Sequence, residues 1–232
     1  LWETIANLQQ LFSANGGLHS LIQVSGLAEL ITRILGARPS IGQVNPSIIR
    51  DLILSSGLFT EMRLAQKQKV HPLDQKSLFY QISRIMGERG LDASNINRAI
   101  LDIESSQLES QQSMNNRELS FSLLLPFKDF GSVDLSFFRA ASTRSDPNPS
   151  YTFNLHTKNE LIGEVWLRTV VEKEVSLKMT MWALRTEISD RAKNSTKQLS
   201  DLLENAGLKI DSLEIFNSAR PGKTKDHQPS KL

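Results

Sequence analysis

The sequence predicts an α+β protein, in which an all-helical N-terminal domain precedes an αβ domain with a mostly antiparallel sheet and one main helix. Apolar residues recur three or four positions apart before residue 110, which is the period of a helix. Beyond residue 117 they alternate with polar residues, which is the period of a half-buried strand. We expect a helical domain over 1–110, a linker over 111–117, an αβ domain over 118–218 and a disordered basic tail over 219–232.

The helical domain is predicted from apolar stripes that are separated by start and stop signals. The first stripe runs over Trp2–Phe12. Asn45-Pro46 predicts a later helix start, with Asn as the cap and Pro at the first helical position. Asp74 is expected to cap another helix, and a long helix is expected to begin at Asp92 or Ser94.

The αβ domain is predicted to have about five strands before its main helix and one strand after it. The link Glu172-Lys173-Glu174 predicts a hairpin but lacks the Asn-Gly signal of a tight turn, so the turn type stays open. Apolar residues between 186 and 206 predict the main helix, and Gly207 predicts its end. Leu208 is then expected to fold back on Leu203, which we place in the core of this domain.

Composition restricts the class of function. The net charge is only +2 and no basic stripe is concentrated in the sequence, which argues against a dedicated nucleic-acid binder. There is no cysteine, and this excludes disulfides, thiolate nucleophiles and cysteine metal sites. No apolar run reaches the roughly 20 residues of a membrane span, so we expect no membrane insertion. The composition fits a cytoplasmic protein or one that is exported unfolded.

Catalytic and cofactor-binding motifs are missing from the sequence. It has no G-x-S-x-G element, no Gly-rich phosphate loop and no H-E-x-x-H element. The histidines lie far apart and lack the spacing of metal ligands. We therefore expect no catalytic residue, no cofactor and no metal, and we expect a protein that is not an enzyme.

Two tryptophans and three basic residues are candidates for contact with a partner protein. Trp166 and Trp182 fall on the strand faces opposite the main apolar stripes. They pack against a second layer, such as the N-terminal helices, or they are exposed aromatic anchors. Arg185, Arg191 and Lys197 lie on a basic side of the domain, which is either a solvated face or a patch for an acidic partner.

A pattern of leucine, glycine and valine residues runs through the C-terminal half. It consists of Leu161-Ile162-Gly163-Glu164-Val165, an alternating strand, a helix with leucines four apart, then Gly-Leu and a closing strand. The pattern resembles the C-terminal domain of the flagellar hook-length control family of bacterial type III export. In that family the leucine directly precedes the glycine, in a Leu-Gly-x-Val run, and Ile162 is an insertion between them. The matching residues are Leu161, Gly163, Val165, Leu199, Leu203, Gly207 and Leu208.

A second similarity lies upstream, where Ser56-Gly57-Leu58-Phe59-Thr60-Glu61 resembles a Ser-Gly-Leu-Phe-x-Glu element of long members of that family. The resemblance implies a protein that gauges hook growth and switches the exporter from hook to filament subunits. It implies that the C-terminal domain binds the export-gate switch protein of the flagellar type III apparatus and makes or breaks no bond. The alternative from another class is a cytosolic helical scaffold or interaction protein of a divergent branch, which binds a partner helix in an apolar groove.

Overall fold

A computed structural model describes residues 5–13, 17–144 and 146–221 of the chain. Trp2 of the first predicted stripe and nearly all of the predicted tail over 219–232 lie outside these residues. The N-terminal part is helical and the C-terminal part contains the sheet, as predicted. Short 3-10 turns occur at Leu21–Gln23 and Ile41–Gln43, and the α-helices are α1 Ala6–Phe12, α2 Gly17–Ser20, α3 Ala28–Gly36, α4 Pro46–Ser55, α5 Thr60–Ala65, α6 Gln75–Glu88, α7 Ser94–Asn115, α8 Thr186–Asn194 and α9 Thr196–Asn205.

The six strands form a single mixed sheet in the order β1-β2-β3-β4-β5-β6. Pairs from β1–β2 to β4–β5 are antiparallel, whereas β5 and β6 are parallel and are connected through α8 and α9. A parallel pair needs such a crossover, because the chain must return to the same end of the sheet. The strands are β1 Leu119–Phe127, β2 Gly131–Arg139, β3 Tyr151–Asn159, β4 Gly163–Glu172, β5 Ser176–Ala183 and β6 Lys209–Phe216.

The prediction of one main helix is wrong, because several helices are present and the expected helix over 186–206 is divided at Ser195. The Ser195 N–H is shared between the carbonyls of Arg191 and Ala192, each at 3.1 Å. The break falls in a run of short polar residues, Asn194, Ser195 and Thr196. Such side chains lower helix propensity, because they compete for backbone hydrogen bonds. The apolar stripe is therefore carried by two shorter helices, α8 and α9.

The predicted helix ends are confirmed where a capping side chain or a glycine marked them. Asn45 Oδ1 accepts from Ile48 N–H at 3.0 Å, and Asp74 Oδ1 accepts from Ser77 N–H at 2.9 Å. Gly207 has a φ of +80°, and the Leu208 N–H donates to Leu203 O at 2.9 Å. This is the glycine-terminated stop that the sequence predicted. Leu203 itself is half-buried and does not lie in a buried core.

Residues 111–115, which were expected in a linker, form the end of α7. The helix ends at Asn115. Two residues later Arg117 has a φ of +61°, and the Glu118 N–H donates to Ser113 O at 2.9 Å. Strand β1 follows at once and lies between two layers of helices. Leu124 belongs to the main helical core, whereas Leu123 and Leu125 point the other way and pack with α4 residues such as Leu52. The helical part and the sheet therefore share buried surface along β1.

The register gives the sheet one apolar face and one polar face. The apolar face continues from Leu123 through Leu135 and Leu155 to Leu167, which are successive cross-strand partners. Phe137 extends this face, since its ring lies 5.0 Å from the rings of both Phe121 and Phe153. On the polar face of β1 and β2, α1 and α7 pack against the sheet.

Candidate functional site

The central strands β3 and β4 contact their neighbouring strands, and no described helix packs broadly against either of them. Helix α4 packs on β1 at one end of the sheet, and α8 and α9 pack on β5 and β6 at the other. Every residue of β4 is half-buried. We call the apolar side of these two strands the central surface, and its residues are Tyr151, Phe153, Leu155, Val165, Leu167 and Val171.

The opposite side of the sheet carries a line of rings across β3 to β6, which we call the aromatic row: His156, Trp166, Trp182 and Phe216. His156 stacks on Trp166 with ring centroids 5.3 Å apart, and Trp182 stacks on Phe216 at 6.1 Å. The two tryptophans are direct cross-strand partners, and both are half-buried. Cross-strand aromatic neighbours stabilise a sheet and leave ring edges accessible to a partner.

The alternatives for the two tryptophans can now be compared with the structure. Within the described residues, the helices that contact β5 and β6 lie on the side of the buried Leu177, Met179 and Ala183. Trp182 points to the other side, where the Arg220 guanidinium lies 5.8 Å from its ring centroid. Among the described residues, the aromatic row is thus supported by its own neighbours, and no helix packs broadly over it. Phe216, at its end, is 43% exposed.

A cluster of charged groups lies beside this row and was missed by the sequence analysis. His156 Nδ1 lies 2.8 Å from Asp134 Oδ2, and its Nε2 lies 3.1 Å from Glu164 Oε1. Lys158 Nζ lies 3.7 Å from the second oxygen of Glu164. Only the strand register brings these residues together, since Asp134 and His156 are cross-strand partners on β2 and β3. Sequence spacing alone gives no such signal.

Burial and ion pairing shift the titration of this cluster. Burial raises the pKa of Asp134 above its usual range, although the hydrogen bond from His156 opposes this shift. Burial by itself would lower the pKa of His156, but the bonds to Asp134 and Glu164 outweigh it and raise that pKa. Both imidazole nitrogens are engaged with carboxylates, so the arrangement is that of a paired histidine and not of a general base facing a substrate.

The described part of the chain offers no group of three His, Cys, Asp or Glu side chains that could hold a metal ion. In the same residues, no helix has both the length and the apolar character needed to cross a membrane.

The predicted basic contact residues lie on different elements from the tryptophans. Arg185 precedes α8, and its Nη1 donates to Glu160 O at 3.0 Å and Leu161 O at 3.3 Å. It also packs on Gly163, where an added Cβ would lie 2.9 Å from Arg185 Nε. Arg185 thus holds the β3–β4 turn. Arg191 and Lys197 are exposed on α8 and α9, which cover the opposite face of the sheet from the aromatic row.

The residues of the family-like pattern mark turns and helix ends. Leu161 is 65% exposed in the β3–β4 turn, and Gly163 begins β4 with a φ of +71°. Val165 follows on β4 and pairs with Ala183 of β5. Gly207 and Leu208 form the stop between α9 and β6, and Leu199 and Leu203 lie half-buried on α9.

No known family model, curated protein or solved structure matches this chain.

Proposed function

We propose that this chain is a non-enzymatic flagellar hook-length control protein, which switches export specificity by binding the cytoplasmic part of the export-gate switch protein. The family is proposed from the sequence pattern that ends in Gly207-Leu208. We place the chain in the cytoplasm, and its own export through the flagellar type III apparatus is the alternative location. Its partner is a protein, and neither nucleic acid nor membrane insertion takes part.

The observation that carries the binding role is the central surface. Leu155 and Leu167 face each other across β3 and β4, and no described helix packs broadly on either strand. These apolar side chains are only half-buried on the sheet. A partner that covers them stabilises the complex by about 25 cal/mol for each Å² of apolar surface removed from water. Flanking helices at both ends of the sheet limit the partner to the middle strands.

The charged cluster also supports binding rather than catalysis. The imidazole of His156 lies between two carboxylates, and its ring is stacked on Trp166. These contacts fix the ring within the sheet. The cluster therefore holds the aromatic row in place.

The direct test is calorimetric titration of the whole chain with the purified cytoplasmic domain of the export-gate switch protein. Leu167→Lys places a charge on the central surface and should weaken binding by about ten-fold or more. Leu202→Lys is the matched control, because Leu202 is 61% exposed on α9 and lies outside the central surface. Circular dichroism and thermal melting of each variant would check that it is folded.

The proposal predicts that wild type and Leu202→Lys bind with the same affinity. Absence of binding by the wild-type chain would refute the choice of partner. Equal losses in Leu167→Lys and Leu202→Lys would refute the central surface as the contact. Trp182→Ala extends the test to the aromatic row, since it removes one ring and leaves the central surface intact.

A further inference from the structure

The stretch Ser56-Gly57-Leu58-Phe59-Thr60-Glu61 forms the corner between α4 and α5, which the proposed function does not use. Gly57 makes this corner possible with a φ of +87°. Thr60 Oγ1 lies 2.8 Å from both Gly57 O and Asp74 Oδ2. Because Asp74 also caps α6, the corner is fixed to the body of the helical part.

The inner side of the corner is held by a nearly buried lysine. The Lys76 side chain is 6% exposed, and its ammonium contacts Glu61, Glu104 at 3.2 Å and Gln107 at 2.9 Å. Gln107 Nε2 donates in turn to Gly57 O at 2.8 Å. Gln107 Nε2 also donates to Glu61, so the Glu61 carboxylate is bonded to both α6 and α7. These bonds fix α5 in its position, so the outer side of the corner is a preformed surface.

That outer side is an apolar groove between α4 and α5, with a cavity of about 560 Å³. We call it the α4–α5 groove. The groove is lined by Ile49, Ile53 and Phe59. These residues also pack against the apolar cluster that contains Leu123 and Leu125 of β1. Met62 also lines it and is 49% exposed. A rigid aliphatic and aromatic floor with an adaptable methionine is the surface that helix-binding grooves present.

The charges of the groove all have one sign. Its only charged lining residues within the described chain are Arg50 and Arg63. Arg63 Nε is buried and has no hydrogen-bond partner among the described residues. The guanidinium of an arginine pairs most strongly with a carboxylate, through charge-assisted hydrogen bonds, so the positive lining favours an acidic partner. Glu61, the acidic residue of the same corner, is already engaged with Lys76.

We propose that the α4–α5 groove binds an acidic amphipathic helix of a partner protein. Apolar residues of that helix, spaced three and four apart, fill the floor formed by Ile53 and Phe59, while its carboxylates pair with Arg50 and Arg63. The sequence over residues 223–231 is basic, so the chain's own C-terminal segment does not match the charge of the groove. This proposal does not depend on the flagellar partner, since it concerns a different part of the molecule.

The test uses the whole chain and two fluorescent helical peptides of about 16 residues, long enough to form helix on binding. Both carry leucines at helical spacing. One has Glu at its remaining positions and the other has Lys. Fluorescence anisotropy should show that the Glu peptide binds at least ten-fold more tightly, a difference of about 1.4 kcal/mol. Arg50→Glu/Arg63→Glu should abolish or reverse this preference.

Arg84→Glu/Arg98→Glu is the matched control, because it makes the same charge change on exposed residues of α6 and α7. It should keep the preference for the Glu peptide, whereas Met62→Ser should weaken binding of that peptide. The proposal is overturned if the Glu peptide does not bind, if both peptides bind equally, or if the control loses as much affinity as Arg50→Glu/Arg63→Glu. Titration with the export-gate domain stays a separate measurement, so either proposal can fail alone.

Discussion

His156 and Asp134 are cross-strand partners whose side chains meet at 2.8 Å between Nδ1 and Oδ2. Asp134 is only 2% exposed, and its second oxygen has no hydrogen-bond partner among the described residues. Two carboxylates and one lysine surround the imidazole: Asp134 from β2, Glu164 from β4 and Lys158 from β3 beside Glu164. The stability of the sheet should therefore depend on the protonation of this cluster.

The first prediction concerns pH. The pKa of His156 is raised in the folded protein, so its contribution to stability is complete below its ordinary pKa of about 6.5 and is lost as pH rises through the raised value. The pKa of Asp134 is also raised, so it too makes stability fall with rising pH, from about pH 4 upward. Urea unfolding should show the His156 part of this fall as the pH rises above about 6.5, the ordinary pKa of a histidine.

Asp134→Asn/His156→Gln removes both titrating groups, and its free energy of unfolding should no longer fall over that pH range. His19→Gln changes an exposed histidine elsewhere and should keep the wild-type fall. A fall that persists in the double variant would assign the effect to other groups.

The second prediction concerns the corner at Gly57. A Cβ there would lie 2.9 Å from Lys76 Cβ and 3.0 Å from Lys76 N, and the φ of +87° is unfavourable for any other residue. Gly57→Ala should therefore reduce the free energy of unfolding by about 2–4 kcal/mol. Gly87→Ala is the control in α6, where an added Cβ meets nothing within 4 Å. It should raise stability by about 0.5–1 kcal/mol, and equal effects of the two changes would contradict the role of Gly57 in the corner.

The third prediction concerns the β4–β5 hairpin, whose turn type the sequence left open. Lys173 and Glu174 both have positive φ, at 51° and 66°, as the central residues of a mirror-image turn do. Lys173→Asn/Glu174→Gly should stabilise the protein by about 1 kcal/mol, because these residues tolerate that conformation. Lys173→Ala/Glu174→Ala loses the same side chains but keeps both Cβ atoms, so it should show no such gain. Thermal unfolding would distinguish the two.

The fourth prediction concerns α9, in which no residue is fully buried. Leu203 is half-buried, so Leu203→Asp should destabilise the protein by about 1–3 kcal/mol and leave it folded in the cold. Leu202→Asp is the control next to it, at 61% exposure, and should change stability by less than about 0.5 kcal/mol. Chemical denaturation that ranks the two variants equally would show that α9 does not pack on the sheet through Leu203.

The sequence by itself determined what depends on neighbours along the chain. The cap at Asn45, the cap at Asp74 and the stop at Gly207 involve hydrogen bonds over three to five residues, and all three are formed where they were predicted. The alternation of apolar and polar residues likewise determined the strands, since each side chain's face follows from its position. The break at Ser195 was missed because the apolar stripe continues in phase across it.

Only the tertiary structure decided which strands are neighbours and what covers them. The cluster of Asp134, His156 and Glu164 exists because the register of β2, β3 and β4 aligns residues that lie 8 to 30 positions apart. Packing between distant segments likewise decides the parallel pairing of β6, the α4–α5 groove and the central part of the sheet that no described helix packs broadly against. Periodicity determines the face on which a side chain lies but contains no information about the element that packs against that face. That second element determines how far the side chain is buried, which way its pKa shifts and whether a partner can reach it.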